Sequence, residues 1–284
     1  MSATAVLLVI ASATAHAGWN FFTKKASWPL GFTWAMAFVG TIGLLPVGAY
    51  LLITEPPEPS GWTFVAVSWM LHLAYFSALA RGYSDGDLSV VYPIARGSGI
   101  AIIPILGVVL LDETMSTWAV MGAVCTVAGI IVLGTTGLAG ARFRPAGIEF
   151  ALLTGLLIAS YSVLDAAAVD RVNPILYLSL IGTSGTLGLR PPVLRRAGAS
   201  AVRELWDGSR AAIVIAGILQ VAAYAIVLWV LQESPVAYVG PLREVALVFG
   251  VILGVAILGE RAAVQRALGA GIIVAGTILI AFAP

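Results

Sequence analysis

Six ionisable side chains stand inside otherwise apolar runs: His16, His72, Arg96, Asp165, Arg243 and Glu244. Trp19, Asn20, Tyr75, Tyr92, Tyr161, Gln220 and Tyr224 accompany them in similar settings. A guanidinium can grip a carboxylate or phosphate through paired N–H donors, and a carboxylate can take an ammonium group or a proton. Imidazole changes charge near neutrality. Covalent catalysis is not indicated, because both histidines lie mid-segment without a nucleophile–base pair or metal cluster. Asp112 and Glu113 adjoin each other but have no third carboxylate or nearby His, so they make no metal site. The pattern suits reversible recognition of a small polar molecule, with no cofactor.

Such residues must be held by something, and composition says what. The chain has 284 residues, 60% hydrophobic and 10% charged, with mean hydropathy +1.00. Soluble domains carry about 25% charged residues, so this chain lacks the surface to face water. At about 20 apolar residues per crossing, its length accommodates about ten spans. A net charge of +1 leaves no basic field for nucleic acid. The single cysteine, Cys125, excludes a disulfide scaffold. Alternating strands of membrane-barrel length are absent. The fold class expected is an all-α integral membrane protein.

Polar and proline-bearing breaks delimit ten apolar segments, at about 3–23, 31–54, 61–82, 87–111, 115–137, 146–168, 173–190, 211–232, 235–258 and 262–283. The longest linker is the Arg-bearing stretch from Arg190 to Arg210. ATAHA before Gly18 resembles a signal-peptide cleavage site, yet no Lys or Arg precedes the apolar run. The segment therefore reads as a retained first span.

The two halves repeat. A shift of 147 residues lays Leu106–Glu113 (LGVVLLDE) on Leu253–Glu260 (LGVAILGE). It also pairs Gly122 with Gly269 and Val127-Ala128-Gly129 with Val274-Ala275-Gly276. One further residue pairs Pro93 with Pro241 and His72 with Gln220. The repeats are expected at 1–137 and 146–284. Five spans each is an odd number, so the second copy enters the membrane the other way up. This predicts two inverted five-helix repeats around a central cavity.

Assigning loops alternately to two sides puts 12 of the 15 Lys and Arg residues on one side and Arg171 alone on the other. Arg96 and Arg243 remain inside spans. The basic loops are therefore expected in the cytoplasm and both termini outside.

Polar residues concentrate on spans 1, 3 and 4 and on their mates 6, 8 and 9, as a cavity between the halves requires. Spans 4 and 9 stand out. Span 4 has a start cue at Asp87 or Ser89, and span 9 has Ser234-Pro235 as cap and first helical residue. Pro93 and Pro241 are expected helix kinks that free carbonyls into a cavity. Arg96 falls opposite Glu244 in the repeat, predicting an ion pair across the pseudo-two-fold axis. Arg243 is then left for a substrate anion, with Asp165 an alternative partner. A buried charge disfavours insertion by about 2.5–3.5 kcal/mol, so each needs a partner or a wet cavity. Structural alternatives exist for each: Arg96 and Glu244 could merely tie the halves together, and His16 and His72 could be packing donors. Gly250 and Gly254 read as a close-packing face, and Glu113 and Glu260 as turn or cap residues. Trp28, Trp62, Trp118 and Trp206 read as interface anchors.

With these pieces, the sequence resembles the drug/metabolite transporter superfamily of EamA type. The resemblance rests on HAGWNFFTKK (His16–Lys25), RGYSDGDLSVVYPIARG (Arg81–Gly97), the LDE and LGE span ends and PLRE (Pro241–Glu244). It implies ten helices around a cavity lined by spans 1, 3, 4, 6, 8 and 9. It also implies export of amino acids and related metabolites, whereas relatives move nucleotide sugars, sugar phosphates or riboflavin. The expected function is a secondary transporter for small polar metabolites, amino acids first, in a bacterial inner membrane. The expected substrate-binding residues are Trp19, Asn20, His72, Tyr75, Tyr92, Arg96, Tyr161, Gln220, Tyr224, Arg243 and Glu244. His16, Asp165 and Glu244 are the candidate proton carriers. The lipid bilayer is the obligatory partner, and the chain acts as a monomer or a homodimer. A carrier for anionic sugar phosphates, nucleotides or lipid-linked sugars is the alternative; a membrane enzyme or scaffold ranks below both.

Overall fold

The computed structural model describes residues 1–85, 88–135, 145–258 and 264–284. Among them every regular element is helical. The first six are α1 (Ala3–Lys25), α2 (Pro29–Thr54), α3 (Pro59–Asp85), α4 (Leu88–Leu110), α5 (Thr117–Thr135) and α6 (Pro145–Ala168). They are followed by α7 (Pro174–Val230), α8 (Val236–Arg243), α9 (Val245–Leu258) and α10 (Val264–Ala281). Nine described helical stretches are long and apolar enough to cross a membrane. The first arm of α7 supplies a tenth unit. Side chains such as Leu7, Ile53, Met70 and Phe282 point outward, where only lipid tails would accept them. α1 runs unbroken through ATAHA, with Ala13 and Ala17 buried.

Two boundaries differ from the sequence expectation. Segments 173–190 and 211–232 are separate helices that α7 joins across a kink, and the supposed Arg-bearing loop between them is itself helical. The stretch turns at Gly198 (φ 74°), a left-handed conformation that glycine adopts without steric penalty, and at Ser209. Charge hid the apolar contacts that hold this linker: Leu205 packs with Phe32, Met36 and Ile213. Segment 235–258 instead divides at Glu244. Pro241 lacks an N–H, and the next turn tightens, with Glu244 N–H bonding Pro241 O (3.1 Å) and Leu247 N–H bonding Glu244 O (2.9 Å). Pro93, its repeat mate, lies inside α4 without interrupting it.

The start of α8 is also capped differently. Ser234-Pro235 provides no side-chain cap; instead Glu113, from the turn after α4, accepts from Val236 N (2.7 Å) and Ala237 N (2.9 Å). The carboxylate therefore caps the helix of the opposite repeat, where it meets unsatisfied amides and the positive helix end. Asp87 and Glu260 lie outside the described residues, as do Arg142, Arg144 and Arg261.

Inversion of the repeats is visible in the α5–α10 contact. A Cβ on Gly122 would sit 2.7 Å from Gly276 O, and one on Gly276 would sit 2.6 Å from Gly122 O. Gly129 and Gly269 block each other in the same way, at 2.8 and 3.0 Å. The sequence register equates Gly122 with Gly269 and Gly129 with Gly276. In space each glycine meets the other's mate, which is the swap produced by a two-fold axis between antiparallel helices. Without a hydrophobic force between helices in lipid, such close backbone approach supplies the packing. Gly155 of α6 packs likewise on the Ala95–Gly99 segment of α4.

Candidate functional site

A cavity of about 370 Å³ lies between α1, α4, α5, α9 and α10. Lys24 and Arg266 stand on its wall at the ends of α1 and α10, and His16, Tyr92 and Arg96 lie deeper. The wall uses α1 only from His16 onward and α4 only from Tyr92 to Arg96. Beyond that level, Val9, Ile103, Val236, Val239 and Leu242 close the bundle as one apolar core. Among the described residues, the cavity opens at the end marked by Lys24 and Arg266.

At its floor a guanidinium meets a carboxylate across the repeats. Arg96 Nη2 donates to Glu244 Oε1 at 2.6 Å, and Glu244 is almost wholly buried. The break between α8 and α9 turns Glu244 out of a regular helical position toward α4. Its Oε2, together with Nε of Arg96 and Nε of Arg243, is buried without a hydrogen-bond partner among the described residues. Buried polar atoms seldom stay unsatisfied. Arg243 lies behind the wall, Nη2 3.4 Å from His16 Nδ1 and Cζ 5.4 Å from the Tyr224 ring. His16 meets Trp19 edge-on (4.8 Å, 74°), and its carbonyl accepts from Asn20 Nδ2 (2.8 Å).

A second polar cluster lies deeper in the bundle and off the wall. Asp165 Oδ1 accepts from Ser68 Oγ (2.6 Å) and from Tyr177 OH (2.5 Å), while Oδ2 accepts from Tyr224 OH (2.5 Å). His72 Nε2 stands 3.9 Å from Oδ2. Tyr161 stacks on His72 at 4.2 Å and meets Tyr75 edge-on at 5.6 Å.

The structure therefore sorts the sequence candidates. Asn20, Tyr92 and Arg96 line the cavity, as do His16 and Pro93. Glu244, Arg243 and Trp19 lie one layer behind. Tyr75, Tyr161, His72 and Tyr224 join the Asp165 cluster, and Gln220 is off the cavity wall. Asp165 does not pair with Arg243; its hydrogen bonds come from hydroxyls. Gly250 and Gly254 line the cavity. A Cβ at Gly250 would meet open space, so Gly250 makes room in the cavity and does not pack a helix.

Sequence reasoning missed Lys24 and Arg266 as wall residues because both sit at helix ends among the loop charges. It missed Ser68 and Tyr177 because single hydroxyls look unremarkable in an apolar run. Ser68 does lie one helical turn from His72, a spacing that puts both on one face.

Two inverted helical repeats enclosing a cavity with charge at its floor define a polytopic membrane protein of the carrier type. The EamA-like transporter family model matches residues 3–135 and 145–282, and the chain belongs to that family. It is a multi-pass membrane transporter of small molecules; the family consists of transporters, not enzymes. One solved structure, described only as a crystal structure of a protein, superposes with TM-score 0.75 at 19% identity. That match covers 98% of this chain and 96% of the other, and it establishes a shared fold. No curated protein matches the chain.

Proposed function

We propose that the protein moves small zwitterionic metabolites, amino acids first, across a bacterial inner membrane by alternating access. The observation that carries this is the cavity floor, where Arg96 is held by a buried Glu244 whose second oxygen has no partner among the described residues. A zwitterion matches both signs: its carboxylate suits the guanidinium of Arg96 on the wall, and its ammonium suits the Glu244 carboxylate behind it once the pair loosens. Tyr92 and Asn20 provide aromatic and amide contact around it. About 370 Å³ is room for an amino acid with an aromatic side chain.

With the basic loops in the cytoplasm, the mouth at Lys24 and Arg266 faces inward, as expected of an exporter waiting for cargo. Charge compensation supports one further point: a cargo that competes for Arg96 loosens a pair joining α4 to the α8–α9 break, and so the two repeats.

The deciding experiment is flux in proteoliposomes with a panel of amino acids. Arg96→Ala and Glu244→Gln should each abolish flux. Flux equal to the parent's in both would end the assignment. The second reading, an anionic sugar phosphate or nucleotide, is favoured by Lys24 and Arg266 standing on the same wall as Arg96. It predicts that glucose 6-phosphate and UMP, included in the panel, outcompete every amino acid.

A further inference from the structure

Four groups in the bundle, Glu244, His16, Asp165 and His72, could carry a proton, and their partners separate them. Glu244 is held by Arg96 at 2.6 Å; protonating it would strand a buried guanidinium. His16 Nδ1 faces a guanidinium nitrogen of Arg243 at 3.4 Å. A guanidinium only donates, so that nitrogen presents a lone pair, and a charged ring there would confront a like charge.

Asp165 is different. Its three close partners, Ser68, Tyr177 and Tyr224, are hydroxyls. A hydroxyl donates to a carboxylate and can rotate to accept from a carboxylic acid, so the cluster stays satisfied in either state.

His72 adds an independent indication. Its Nδ1 lies 2.9 Å from Ser68 O, and a carbonyl can only accept, so Nδ1 carries the hydrogen. In a neutral ring, Nε2 then turns a lone pair toward Asp165 Oδ2, 3.9 Å away. Two facing lone pairs repel; one proton placed on either atom converts the contact into attraction.

The other charged or titratable neighbours are accounted for. α6 contributes Tyr161, stacked on His72, and α3 contributes Tyr75 beyond it. From α8, Arg243 is separated from Asp165 by the Tyr224 ring. From α4, Arg96 is committed to Glu244.

We propose that Asp165 and His72 form the proton site that couples transport to a pH gradient, holding one proton between them on the closed side of the cavity. Gly155 packs on Ala95, Ser98 and Gly99, the α4 residues that flank Arg96 in the chain, and Asp165 follows ten residues along α6, roughly 15 Å further along that helix. Tyr224 joins the two regions, its hydroxyl on Asp165 and its ring face toward Arg243, which in turn meets His16 on the cavity wall. A proton bound while the far side is open and released while the mouth is open would be exchanged for a molecule of substrate moving the other way.

This inference rests on the transporter reading, and two measurements keep them apart. The first needs no substrate: pH-difference infrared spectroscopy of the purified protein. The parent should show a carboxylic-acid C=O band that titrates, Asp165→Asn should lose it, and His72→Gln should shift its midpoint. A titrating band that survives in Asp165→Asn, or that His72→Gln leaves unmoved, overturns the proposal. The second is phenylalanine flux in proteoliposomes. The parent should accumulate phenylalanine against its gradient when a pH gradient is imposed. Asp165→Asn should lose accumulation while keeping phenylalanine–phenylalanine exchange. Parent accumulation that ignores the pH gradient also overturns the proposal. If the parent shows neither accumulation nor exchange, phenylalanine is excluded as cargo, and the infrared result decides the proton site alone.

Discussion

The two polar clusters make a natural comparison, because both bury a carboxylate among tyrosines in the same bundle. Around Glu244 the partner is a permanent cation from the other repeat; around Asp165 the partners are neutral hydroxyls and one imidazole. A fixed counter-charge pins Glu244 as an anion and leaves polar atoms over at the cavity floor. Neutral partners hydrogen-bond both oxygens of Asp165 without fixing its charge. Burial alone therefore does not assign a role to a membrane carboxylate; the chemistry of its partners does.

The comparison can be broken most strongly at the charged cluster. Glu244→Ala should lower stability by about 3–5 kcal/mol, since it leaves Arg96 buried without a counter-charge. A large drop in thermal midpoint of the detergent-solubilised protein is the readout. Arg96→Met with Glu244→Met should recover most of that loss and still not transport, which separates the pair's structural role from its binding role.

Glu113→Ala comes next, at about 0.5–2 kcal/mol, because it uncaps α8. Hydrogen exchange should quicken at Val236 and Ala237 and not in α5. Asp165→Asn should cost about 1 kcal/mol, as charge-assisted hydrogen bonds become neutral ones with the same hydroxyls. A loss as large as that of Glu244→Ala would erase the distinction drawn between the clusters. The smallest change in stability is expected for Gly250→Leu, since open space receives the side chain. Its thermal midpoint should stay at the parent's value while substrate flux falls away.

Much of the fold was legible because apolar length and the repeat are linear properties. LGVVLLDE and LGVAILGE, 147 residues apart, already implied inverted halves, and the Gly122–Gly276 and Gly129–Gly269 contacts follow from that register. The helical linker of α7 was not legible, because its apolar contacts come from residues on α2 that only folding brings near. Nor was the cap on α8: Ser234 looked suitable locally, yet Glu113 from the other repeat reached the amides first.

The site divides in the same way. Arg96 opposite Glu244 could be read from spacing, since a two-fold axis brings together the repeat mates that lie beside it. The partner of Asp165 could not. Arg243, the choice that charge suggested, sits behind a tyrosine ring, and Ser68, Tyr177 and Tyr224 hold the carboxylate instead.

By itself the sequence determined that this is a ten-span inverted-repeat membrane protein with charge on spans 4 and 9. Hydrophobicity and periodicity need no neighbours to be counted. Only the tertiary structure decided what holds Asp165 and which wall is open, because hydrogen bonds form between groups that are adjacent in space and distant in the chain.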